Sequence, residues 1–120
     1  MRSCRTNGRP AAPRFAYALL ATMIASSYAA AASAAPTVQM DIRSFAFSKP
    51  DLTVAPGTIV VWINRDEAPH TVTSRDHTLN SKALDTDDRF SFTFKQAGDY
   101  PYFCTLHPHM VGTVHVVAKK

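Results

Sequence analysis

From Thr37 onward, apolar residues recur at every second position between short clusters of turn-forming residues. Val38, Met40 and Ile42 alternate with polar neighbours and lead into Phe45 and Phe47, the pattern of a strand with one buried face. Leu52 and Val54 follow Pro50 and precede a turn at Pro56-Gly57. Residues 59–63, with Trp62 among them, form an unbroken β-branched and aromatic run, which predicts a central strand covered on both faces. Val72 lies in a short segment after His70, and Phe90, Phe92 and Phe94 alternate with Ser91 and Thr93, so that one face is core. Ala97-Gly98 turns the chain into Tyr100, Tyr102 and Phe103, and Gly112 opens a last strand through Val114, Val116 and Val117. About seven to eight short strands separated by Gly, Pro and Asp turns predict an all-β fold, an antiparallel β-sandwich. Residues 75–88 are polar and without a period, and are expected to form a loop or a brief helical turn.

The first third of the chain breaks this pattern. Arg2, Arg5, Arg9 and Arg14 precede an Ala- and Leu-rich run from Phe15, and no acidic residue occurs before Asp41. The run ends in small residues, and Ala32-Ser33-Ala34 fits a cleavage site of the A-x-A kind. This is the layout of a secretory signal peptide over residues 1–34, which leaves a single domain over residues 35–120. A retained membrane anchor is the competing reading, but the later half of the run is mostly Ala and Ser and only weakly hydrophobic. Cleavage changes the charge picture. Of 13 basic residues four depart with the leader, leaving nine against nine acidic ones, so the net charge of +4 belongs to the export signal. A near-neutral domain gives no electrostatic ground for nucleic-acid binding. The reading is therefore an exported, periplasmic bacterial domain, monomeric and not stably inserted in a membrane after processing.

Candidate chemistry gathers near the C-terminus. Cys104, His107 and Met110 are three residues apart in Tyr-Phe-Cys-Thr-Leu-His-Pro-His-Met, with Pro69-His70 well upstream. A thiolate, two imidazoles and a thioether are the donors of a blue-copper electron-transfer site. Cys104 is the one cysteine of residues 35–120, so that domain holds no intrachain disulfide, and a metal would protect a lone thiol in an oxidising compartment. Zinc competes for Cys and His, but an axial Met has no use to it. His107-Pro108-His109 superficially matches an element of multicopper oxidases, yet Cys104 is flanked by Phe103 and Thr105, and five histidines cannot fill several copper sites. An independent enzyme is not expected. Copper delivery is the rival function. Met40 and Met110 are the only methionines beyond the leader, too few for a methionine-rich transfer surface.

Two blocks carry a resemblance to a known family. One is Gly57-Thr58-Ile59-Val60-Val61-Trp62-Ile63-Asn64-Arg65 followed by Pro69-His70; the other runs from Gly98-Asp99-Tyr100-Pro101-Tyr102-Phe103-Cys104 through Met110 to Gly112-Thr113-Val114. The chain resembles the cupredoxins over most of residues 37–118, and its compact C-x2-H-x2-M loop resembles that of the amicyanin-like group. The resemblance implies a Greek-key sandwich holding one copper per chain, Cu(I)/Cu(II), with His70, Cys104 and His107 in the equatorial plane and Met110 axial. It implies that Asn64 ties the His70 loop to the loop after Cys104, with Thr105 as partner, and that Phe103 packs beneath the metal. Pro108 stiffens the ligand loop by fixing its φ angle. It also implies that electrons pass through an apolar patch around His107, here Leu106, Pro69, Val111 and Pro108, to redox proteins of the dehydrogenase or cytochrome type. His109 stands where that group usually has an aromatic residue. His77 and His115 are assigned no function.

Overall fold

The computed structural model describes residues 8–13, 27–31 and 33–119. The chain divides into two units, Met1–Ala31 and Ala32–Lys120. Residues 8–13 and 27–31 of the first carry no strand or helix, and most of the expected leader lies outside the described residues. Among the described residues no helix is long and apolar enough to cross a membrane.

The second unit carries seven strands, β1 (Thr37–Arg43), β2 (Ala46–Phe47), β3 (Asp51–Val54), β4 (Thr58–Asn64), β5 (Arg89–Phe94), β6 (Gly98–Phe103) and β7 (Val111–Val116). They form two sheets, ordered β2-β1-β4-β5 and β3-β7-β6. The sequence pattern anticipates the all-β sandwich, but the sheets are mixed. β1 pairs with β4 in parallel and β3 with β7 in parallel, whereas β1–β2, β4–β5 and β6–β7 are antiparallel. After β2 the chain crosses to the other sheet as β3 and returns as β4, so β4 re-enters beside β1 in the same direction. A two-residue period specifies which face of a strand is buried, and is silent about which strand lies alongside.

The core is made from the alternating positions. Met40, Ile42, Val60, Trp62, Val72, Phe94, Tyr102, Val114 and Val116 are buried, and each fully enclosed side chain contributes about 1.5–3 kcal/mol. Trp62 lies in an aromatic cluster with Tyr102 edge-on at 5.4 Å and Phe94 at 6.3 Å. Phe90 and Phe92 are only half-buried, because β5 is an edge strand, and alternate residues of β4 are likewise half-covered. Burial holds the Tyr102 phenol up at about 12. At Gly112 a Cβ would lie 2.6 Å from the Tyr102 ring, so glycine lets β7 press against it.

Residues 65–88 form an irregular segment rather than a free loop, and contain no helical turn. His70 and Leu84 exchange both backbone hydrogen bonds, at 3.1 and 2.7 Å. Thr73 does the same with Phe103, at 3.0 and 2.9 Å, which lays residues 70–74 against the end of β6. Leu79 and Leu84 are buried beneath this segment. They lie isolated among polar residues, and no periodicity marks them as core.

Candidate metal centre

The end of β6 and the segment beginning at His70 are thus held side by side by backbone pairing, and the donor side chains meet at that junction. Cys104 Sγ lies 3.8 Å from His70 Nδ1 and 3.7 Å from His107 Nδ1. The three donor atoms fall within 4.8 Å of one another. Bonds of about 2.3 Å to sulfur and about 2.0 Å to nitrogen, opened to a trigonal angle, separate the donors by about 3.7 Å. The observed spacing therefore fits one metal ion shared by a thiolate and two imidazoles. Cys104 and His70 are buried and His107 half-buried. Met110 is buried at the end of the same loop, where its N–H donates to His107 O at 2.9 Å and its carbonyl accepts from Cys104 N–H at 3.0 Å. These bonds close the 104–110 loop into a compact turn.

Supporting residues differ in part from those expected. Asn64 is fully buried at the end of β4 and donates from Nδ2 to Ala68 O and Leu84 O, each at 2.8 Å, while its Oδ1 accepts the Asp66 N–H. With every polar position in use, it supports the His70 segment and makes no bond to Thr105. Thr71 carries the link across instead. Its Oγ1 accepts the Thr105 N–H at 2.8 Å and lies 2.9 Å from Thr105 Oγ1, and its own N–H donates to Cys104 Sγ at 3.3 Å. Phe103 does not pack beneath the metal position. Strand alternation turns Tyr102 inward and Phe103 outward, where it is half-buried with the Arg75 guanidinium 5.9 Å above its ring.

Two further residues meet the site without any local sequence signal. Asp66 accepts the N–H groups of Ser44 at 2.6 Å and Phe45 at 2.9 Å, and its other contact is His70 Nε2 at 2.9 Å. Burial opposes ionisation of this carboxyl, but the two N–H groups and His70 outweigh it and hold the carboxyl below its ordinary value. Ser44 and Phe45 form the two-residue turn between β1 and β2, both left-handed at φ 51° and 57°. Such a backbone costs a non-glycine residue about 1–3 kcal/mol. The Phe45 ring lies 5.3 Å from that of His70 and 4.9 Å from that of His107, nearly perpendicular to both. Of the expected patch residues, Leu106 and Val111 are 50% and 60% exposed, and Pro69 and Pro108 are exposed as well. His109 is exposed, its ring 6.4 Å from that of His107.

His115, on β7, is half-buried between two carboxylates. Its Nδ1 lies 2.7 Å from Asp99 on β6 and its Nε2 3.5 Å from Asp51 on β3. The Asp99 contact raises its pKa above the ordinary histidine value.

Comparison with known proteins agrees with this geometry. The family described as Cupredoxin-like domain matches residues 16–116. An amicyanin of Paracoccus denitrificans is 38% identical over 96 residues, covering 76% of this chain and 73% of the relative. Among solved structures, the Cu(I) form of an amicyanin point variant is 36% identical, covers 71% of this chain and 86% of that one, and superposes with a TM-score of 0.65. A purple cupredoxin from Nitrosopumilus maritimus is 34% identical, covers 67% of this chain and 99% of that one, and superposes with a TM-score of 0.63. The chain belongs to the cupredoxin family, as an amicyanin-like member.

Proposed function

We propose that the domain over residues 35–120 is a soluble one-electron carrier in which His70, Cys104, His107 and Met110 would hold one type 1 copper ion per chain. The observation that carries this reading is the approach of two Nδ1 atoms to one sulfur at 3.7–3.8 Å. When bound, copper supplies the Cu(I)/Cu(II) couple. The chain supplies everything else. The end of β6 and the backbone-paired segment at His70 would hold the donors in one fixed arrangement, which would keep reorganisation small on electron gain or loss. Asp66 fixes the orientation of His70, and the Thr71 N–H takes up charge from the sulfur. Thr71 and Thr105 keep the two loops together, Asn64 braces the His70 segment, and Pro108 limits the freedom of the ligand loop.

Electrons enter and leave at His107 through the surface made by Leu106, Pro69, Pro108 and Val111. The partners are redox proteins of the dehydrogenase or cytochrome type. On this reading the domain acts as a carrier and not as an enzyme. Residues 1–34 serve as an export signal, and the processed protein works in the bacterial periplasm as a monomer.

Copper-reconstituted protein should be intensely blue, give the EPR signal of a copper–thiolate centre and cycle reversibly through one electron. Met110→Leu should retain copper and raise the potential, whereas Cys104→Ala should lose the colour. A colourless Cu(II) form would instead favour copper delivery, and a visible band surviving in the Cys104 variant would refute the ligand assignment.

A further inference from the structure

We propose that Phe45 is a positioning residue of the metal centre and the aromatic contact of its electron-transfer surface. The inference rests on the copper-carrier reading and adds a residue from outside both ligand segments. Phe45 comes from the β1–β2 turn, far in sequence from His70 and His107, yet its ring packs against both imidazoles. The imidazole centroids are themselves 4.9 Å apart, so the three rings form one cluster. Each of the two nearly perpendicular contacts restrains rotation of an imidazole about its own side-chain axis. A metal bound through Nδ1 depends on that rotation, because turning the ring swings the donor atom away from the sulfur.

The backbone indicates that this placement is built. Glycine adopts the left-handed conformation found at Phe45 freely, whereas a bulky side chain is disfavoured there. Asp66 over-determines the turn by accepting both of its N–H groups, and the same carboxylate meets His70. One acidic group thereby sets the height of the Phe45 ring and the orientation of the imidazole beneath it. Phe45 as a residue is also 45% exposed, so an incoming redox partner meets an aromatic residue in contact with both histidines. On this account Phe45 does three things: it holds the imidazole planes, excludes water beside them, and shortens the through-contact path to His107.

The test compares the parent full-length protein with Phe45→Leu, Phe45→Gly and Phe45→Tyr. Glycine relieves the backbone, so its variant keeps the turn while losing the ring. In metal-free protein, NMR should show ring-current shifts on the carbon-bound protons of both His70 and His107 that vanish in the Leu and Gly variants and return with Tyr. In copper-loaded protein, the Leu and Gly variants should keep full copper stoichiometry and show electron self-exchange slowed roughly tenfold. The potential of these variants should also move downward as water gains access, and Tyr should restore both properties. Parent-like imidazole shifts in Phe45→Leu, or a self-exchange rate indistinguishable from the parent, would overturn the proposal. The metal-free measurement decides the packing even if the parent protein proves to have no reversible couple, so the two readings fail separately.

Discussion

Thr71 divides its polar groups between the two halves of the site, with its N–H on the Cys104 sulfur and its Oγ1 receiving the Thr105 N–H. Thr71→Val preserves the shape of the side chain and the N–H to sulfur, but leaves the Thr105 N–H without its acceptor. The loss should destabilise the fold by about 1–3 kcal/mol in urea unfolding. The copper–thiolate absorption band should stay where it is, because the hydrogen bond to Sγ comes from the backbone. Nothing in the neighbourhood of Thr71 in the chain marks this role. The donors were legible because Cys, His and Met at loop spacing have few other uses together. Asp66, Thr71 and Phe45 act through contacts spanning 4 to 62 positions, and an Asp after a strand or a Thr after a histidine is an ordinary neighbour.

Among the elements, β6 and β7 bear most directly on the site, since the ligand loop is the connection between them. Gly112 lets β7 close against Tyr102, whose ring is fixed by edge contacts from Phe47 at 4.7 Å and Trp62 at 5.4 Å. Gly112→Ala should therefore cost about 1–3 kcal/mol by overpacking, seen as a lowered melting temperature together with altered near-ultraviolet circular dichroism from Trp62 and Tyr102. The same sheet is clipped on its outer side by His115 between Asp51 and Asp99. Because the folded pKa of His115 lies above its unfolded value, the clip stabilises fully below the unfolded value near 6.5 and is lost as pH rises through the folded one. Unfolding midpoints should accordingly decline across that window, and His115→Gln should flatten the decline. Alternation placed the strands correctly, from Val38-Met40-Ile42 through Phe90-Phe92-Phe94. It could not reveal the parallel pairs, which follow from where the chain crosses between sheets.

At the scale of the molecule, seven strands and one corner that gathers a thiol and two imidazoles make a small domain to whose stability a bound ion would add. An ion that binds the folded chain alone adds RT ln(1 + [L]/Kd), about 4 kcal/mol at a free concentration a thousandfold above Kd. Copper should raise the thermal midpoint, with a chelator returning it to the metal-free value, and Cys104→Ala should abolish most of the rise. The composition of the whole chain was informative in a different way. Its net positive charge of +4 lies before Phe15, and the strand-forming remainder is balanced.

Cys104 is completely enclosed, and residues 35–120 contain no second sulfhydryl. Burial of that kind disfavours cross-linking of two copies and attack by dissolved peroxide, since both reactions need an accessible thiolate. The fold thereby shelters the one side chain for which the site has no substitute.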